Sequence, residues 1–383
     1  MQTSFDYTDI APYRDHEVPE AIKALLEEFS FNKVMGFVYP DKTTEEIINI
    51  CQGIKTVREF QAQVAYPAMK LMNEMTISKV SCDGFETLDT DKAHLFISNH
   101  RDIILDSALL NMLLHEYDLE TTETAIGSNL LTNPTVRHLT KLNKNFTVRR
   151  NVARRELYEA SLKLSTYIRS SITERGVSIW LSQKEGRAKD GNDRTQQGLL
   201  KMLAMSSKEA LEESFNKLNI RPLSLSYEYD PCDVFKVQEL FHVQQGHEYE
   251  KGKDEDLQNI IAGISKPKGR VHLSIGPYIY DELMEIDNSI PINDQVKCMA
   301  EIIDRHIHAQ CRLWPNNYVA LDLLEGSKSY TQNYTESDKQ TFLTYLDKTL
   351  ESSTVEKEQG KQILLKKYAF PAINKFAAVS SEA

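Results

Sequence analysis

Paired cysteines are missing from this chain. The five present, Cys51, Cys82, Cys232, Cys298 and Cys311, form no Cys-x-x-Cys motif and are odd in number, a pattern that fits reduced thiols in a cytoplasm. No uninterrupted apolar run approaches the ~18 residues needed to span a bilayer, so membrane contact is expected to be peripheral at most, at an inner face. The opening MQTSFDYTDIAPYRDHE has no basic flank leading into an apolar core, so neither a signal nor a transit peptide is expected. A net charge of -11 over 383 residues leaves no basis for general nucleic-acid affinity, and any basic patch must be local. Internal repeats, low-complexity tracts and a Gly-x-Ser-x-Gly nucleophile elbow are also absent. In DRHIHAQC, His306 and His308 stand two apart with Cys311 nearby. Residues two apart on a helix do not share a face, so no metal site is expected.

At this length, one large domain plus a smaller one is expected. From Val18 to about Ile77, apolar residues recur at intervals of three and four, as in EEIINICQGIKTVREFQAQVAYPAMKLMNEM, and a helical N-terminal domain is predicted over 1–78. Near Lys79 the period shifts towards two. From there TAIGSN, FTVRR, VSIWLSQ, IRPLSLSYEYDP and RVHLSIGPYI alternate with helix-length amphipathic segments. That alternation predicts an α/β domain over 79–313, its mainly parallel sheet covered by helices, followed by C-terminal helices over 314–383 packed on the preceding domains. The apolar stripe of DSALLNMLLHEY is read as core rather than as a lipid groove.

The stretch LFISNHRDIILDSALL sets His100 just past a strand, with a helix to follow. Ligands of open α/β sheets bind beyond the carboxyl ends of the strands, so His100 stands in the right kind of place. Taken alone it also fits a turn in which Asn99 and Asp102 serve as turn and cap residues. A second local feature is the run RHLTKLNKNFTVRRNVARR, with seven Lys/Arg and no acid. Arg149 and Arg150, at a strand end, are better candidates for a site than the outer Lys144, Arg154 and Arg155.

Four blocks of the sequence, in order between about Val80 and Pro231, resemble those of the glycerol-3-phosphate and lysophosphatidate acyltransferase superfamily. After DGFETL, SNHRDIILD resembles the first block, FTVRR the second, KEGRAKDG the third, and IRPLSLSYEY with Pro222 the fourth. Two departures stand out. The family separates its His and Asp by four residues, whereas five separate His100 from Asp106; either the loop bulges or Asp102 takes the role. Asp106 is preferred, because it can sit in the first helical turn facing back to the imidazole while Asp102 caps that helix. In the third block, matching Gly186-Arg187-Ala188-Lys189 to Gly-Arg-Ser-Arg puts Lys184 where the family has Glu, while matching Glu185-Gly186 shortens the block by one.

The resemblance implies a glycerol-3-phosphate acyltransferase-like fold and an O-acyltransferase. A fatty acyl group would pass from acyl-CoA or acyl carrier protein to a hydroxyl of glycerol 3-phosphate or a lysophospholipid, without a cofactor. His100 would be the general base and Asp106 its orienter, with Arg149, Arg150, Glu185, Gly186, Arg187, Lys189 and Pro222 at the acceptor. The chemistry is coherent, since imidazole titrates near neutrality and guanidinium matches phosphate oxygens in a fork. Alternatives are acylation of another lyso-lipid, such as an N-acyl amino acid, and a non-catalytic lipid-binding protein on the same fold.

Overall fold

The structure is a computed structural model that describes residues 5–150, 152–252 and 254–380. Seven strands build one mixed sheet: β1 (Ile77–Asp83), β2 (Leu95–Ser98), β3 (Glu123–Gly127), β4 (Asn145–Val148), β5 (Ile179–Ser182), β6 (Ile220–Tyr227) and β7 (Gly269–Ile275). Their order is β1-β7-β6-β2-β5-β3-β4. Only β6 and β7 pair antiparallel; every other neighbouring pair is parallel, in keeping with the mainly parallel sheet expected.

Side chains alternate across a strand, and the two faces of β2 and β5 feed separate cores. Leu95, Ile97, Ile179 and Leu181 pack with Ile168, Ile172, Leu200 and Leu203. Phe96 and Trp180 pack with Leu105, Leu109 and Leu113 on the other side. A one-residue slip would exchange the faces of an element buried on both, so both cores hold the register. After β2 the chain leaves through the helix Leu105–Glu116 on one face; after β5 it leaves through the helix Gln197–Ala204 on the other. Divergence of two adjacent parallel strands opens a crevice beyond their carboxyl ends. Residues 99–104 and 183–196 border it.

Before β1 lie helices Val18–Leu26, Phe29–Val38 and Thr44–Gly53, then a run from Val57 to Thr76 that makes one π turn at Gln61–Ala65. Thr43 and Thr56 begin two of them with reciprocal capping boxes to Glu46 and Glu59. Their apolar cluster takes in Leu142 from the helix Pro134–Leu142. Upstream, the carbonyl of Ile10 accepts from Thr147 N at 2.8 Å, which covers the exposed edge of β4. Past β7, the helix Ile292–Gln310 packs on the sheet through Val296, Met299, Ile303 and Ile307. The helices Pro315–Glu325, Glu336–Glu351 and Lys357–Ser380 enclose a further core with Val237 of the helix Asp233–Gln244. No helix among the described residues is long and apolar enough to cross a membrane.

Candidate active site

His100 sits two residues beyond β2, its side chain 13% exposed. Its Nδ1 lies 2.7 Å from Asp106 Oδ2. Asp106 opens the helix Leu105–Glu116 and is fully buried. Its Oδ2 also accepts from the backbone N–H of Arg101 (2.6 Å) and of Asp102 (3.0 Å), while Oδ1 accepts from the Tyr227 hydroxyl at 2.9 Å. Three donors besides the imidazole, at a helix N-terminus, fix the orientation of that carboxylate towards Nδ1. The imidazole edge rests against the Trp180 ring at 5.6 Å between centroids. Among the described residues Nε2 has no hydrogen-bond partner, and His100 lines a cleft of ≈ 820 Å³.

The five-residue spacing is absorbed by Asp102. Its Oδ1 accepts from Ile104 N and Leu105 N, both at 2.9 Å, so it caps the helix while Asp106 takes the imidazole. Asp102 Oδ2 is buried without a partner, and burial together with the Asp106 charge pushes its carboxyl above the usual carboxylate range. Gly263, in the helix Glu255–Ser265, permits this packing, since a Cβ there would stand 2.2 Å from Asp102 Oδ2.

The cleft has two kinds of wall. Ala125, Val148 and Leu181 from the sheet, with Leu164, Ile168, Leu199 and Met202 from two helices, make an apolar surface. The loops after β4 and β5 supply cations. Arg150 and Lys189 are held in ion pairs to Glu185 and Glu239, and Lys251 to Asp256 at 2.7 Å. Arg187 is only 6% exposed, forms no ion pair among the described residues, and leaves Nη1 buried with no partner. A buried guanidinium nitrogen without an acceptor is costly, and an anionic ligand in the cleft would satisfy it. Lys184 also lines the cleft without a carboxylate partner among the described residues. Gly186 adopts φ +70°, a conformation that glycine takes at little cost, and turns the chain between Glu185 and Arg187.

Of the residues singled out from sequence, the structure gathers His100, Asp106, Arg150, Glu185, Gly186, Arg187 and Lys189 at this crevice. Two lie elsewhere. Arg149 is exposed and does not line the cleft. Val148 and Arg150 do, and extended backbone sends the intervening side chain to the other side. Pro222 is buried within β6 opposite Ile97, inside the sheet rather than on the cleft wall. Its carbonyl accepts from Gly276 N at 2.8 Å, just past the last β6–β7 pair, where the missing proline N–H breaks no ladder. Lys189 is neutralised by Glu239, and burial lowers its pKa.

Two residues at the end of β3 join the site without having been expected there: Gly127, whose GSNLL resembles no phosphate loop, and Ser128. A Cβ on Gly127 would lie 3.1 Å from Arg150 Nε and 2.5 Å from Asn129 Oδ1, so glycine leaves room for Arg150 to cross. Ser128 Oγ accepts from Arg150 N at 3.0 Å. A glycine closing a strand pattern was the available signal. Tyr227 lies in the fourth block, IRPLSLSYEY, but nothing local ties it to Asp106, 121 residues earlier.

Residues 79–198 match the family model described as Acyltransferase. That segment, about a third of the chain, is similar to the acyltransferase family. That matched segment contains His100, Asp106, Arg150 and Arg187, with Tyr227 outside it. Among solved structures the chain is similar to the 1-acyl-sn-glycerophosphate (LPA) acyltransferase PlsC from Thermotoga maritima, at 16% identity, over 75% of this chain and 92% of that one, with a TM-score of 0.33. So loose a likeness carries no inference about chemistry. No curated protein matches the chain.

Proposed function

We propose that this chain moves a fatty acyl group from an acyl thioester, acyl-CoA or acyl carrier protein, to a hydroxyl of glycerol 3-phosphate or a lysophospholipid. One observation carries the reading: an imidazole oriented through Nδ1 by a buried carboxylate keeps Nε2 free, in a cleft that pairs an apolar wall with an unpartnered buried guanidinium. Nε2 takes the hydroxyl proton as the acceptor oxygen attacks the thioester carbonyl. Asp106 fixes the tautomer and stabilises the imidazolium. The tetrahedral adduct collapses, the C–S bond breaks, and the thiolate leaves with the proton from Nε2. No covalent acyl-enzyme is needed. Arg187, with Arg150 once released from Glu185, meets the acceptor's phosphate, and the apolar wall takes the acyl chain.

The test is direct incubation of the purified chain with acyl-CoA or acyl carrier protein and a panel of acceptors, read by mass spectrometry. The panel holds glycerol 3-phosphate, lysophosphatidate, other lysophospholipids and an N-acyl amino acid bearing a hydroxyl. An acylated phosphate-bearing product supports the proposal. Product only with the N-acyl amino acid would move the acceptor class, and none with any acceptor would overturn it.

A further inference from the structure

Resting on the reading of His100 as the base, we propose that Lys236 is a positioning residue for it, and that the C-terminal helix Lys357–Ser380 is part of the active-site assembly. In the His100–Arg101 peptide, the carbonyl accepts from Ala188 N at 3.0 Å and the N–H donates to Asp106 Oδ2. In the Arg101–Asp102 peptide, the N–H donates to the same Oδ2, and the carbonyl accepts from Lys236 Nζ at 2.9 Å. Both planes that follow the imidazole are thus fixed at both ends. Three of the four bonds come from within the acyltransferase-family segment; Lys236 alone lies beyond it.

What holds Lys236 is unusual for the inside of a protein. It is 1% exposed, and its Nζ also donates to Asp230 Oδ2 at 2.6 Å. Lys367, from the C-terminal helix, donates to the same oxygen at 2.6 Å and pairs with Asp233. Tyr345 and Tyr368 hydroxyls both donate to Asp233 Oδ2 at 2.6 Å. Two carboxylates and two ammoniums, neutral as a set, are therefore buried in one network. Apolar packing would join these helices without that desolvation, and so does not explain the network. Its terminus does: the chain of ion pairs ends on the backbone carbonyl next to His100.

A second contact runs the same way. Gly191, at φ +75°, lies so close to the carbonyl of Lys367 that a Cβ would stand 2.2 Å from it, and Asn374 donates to Asn192 Oδ1 at 3.2 Å. One helix therefore braces the loop that carries Arg187 and, through Lys236, the turn that carries His100. Without Lys236 the Arg101–Asp102 peptide is free to rotate, its N–H leaves Asp106 Oδ2, and the imidazole and its orienter loosen together.

The experiment is a double-mutant cycle on steady-state kinetics. Lys236→Met and the charge-balanced Asp230→Asn/Lys236→Met, which keeps the Lys367–Asp233 pair, are each combined with His100→Ala, with folding checked by circular dichroism. The charge-balanced variant keeps the test open if Lys236→Met alone does not fold. With His100 present, kcat should fall tenfold or more while the acceptor KM stays within about twofold. In the His100→Ala background the same changes should cost less than twofold, because a positioning residue has nothing left to position. Equal fractional losses in both backgrounds would show a merely structural role and overturn the proposal. So would an unchanged kcat for Lys236→Met beside a crippled His100→Ala. Full activity of His100→Ala would instead remove the base assignment, and this proposal with it.

Discussion

At the residue scale, the two aspartates near His100 separate by what each accepts. Asp106 receives the imidazole, two amides and a phenol, so an amide in its place must turn an N–H towards at least one donor and can hold the wrong tautomer. Asp106→Asn should lower kcat by at least ~10²-fold, the low end for general-base catalysis. Asp102→Asn keeps the capping oxygen and should stay near wild type, since Asn caps a helix about as well as Asp. Steady-state kinetics on the two variants checks the pair, and the reverse order would exchange the roles. Among the cations, Arg187→Ala should reduce kcat/KM for the acceptor by roughly tenfold or more, because a charge-assisted hydrogen bond contributes about 1.5–3 kcal/mol. Arg149→Ala, on the exposed side, should change it little, and equal effects would remove Arg187 from the acceptor site. His100, Asp106 and Arg187 were legible because each belongs to a short local block. Which of the two adjacent arginines faces the cleft depends on where β4 ends, and adjacency alone does not say.

Elements were legible to the extent that their periodicity was local. Strands β3 to β7 fall on the five apolar runs picked from the sequence and β2 on the run before His100, while β1 was marked only by the turn from a period of three or four to a period of two. Strand order was not legible, nor was the antiparallel β6–β7 pair, because pairing depends on contacts distant in the chain. The helix Glu255–Ser265 shows the same limit. Nothing local singles out Gly263, yet it is where that helix presses on Asp102. Gly263→Ala should destabilise the fold by about 1–3 kcal/mol, the usual cost of overpacking, and should lower kcat by displacing the catalytic turn. Asp102→Ser, shorter but still a cap, should restore part of both. Thermal melting of the single and double variants decides it; no loss in Gly263→Ala would show that the helix moves away freely.

At the scale of the whole molecule, buried histidines weaken the fold in acid. His94, 4% exposed, has its pKa pushed from the ordinary 6.5 down to about 4 by burial, and burial lowers His272 and His308 as well. With the folded value below the unfolded one, the unfolded chain binds more protons between about 6.5 and 4. The contribution of His94 is therefore fully present above pH 6.5 and is lost as the pH falls towards 4. As the pH falls across that window, the melting temperature of His94→Asn, with nothing to titrate at that position, should rise relative to that of wild type; parallel curves would remove His94 as a cause. The central claim is acyl transfer with His100 as the base, and the most direct test is turnover of an acyl thioester by wild type and His100→Ala side by side, with acylated product counted by mass spectrometry. Acylated glycerol 3-phosphate or lysophospholipid from wild type, with kcat at least ~10²-fold lower in a folded His100→Ala, is the result expected. Equal turnover by the two proteins would contradict it.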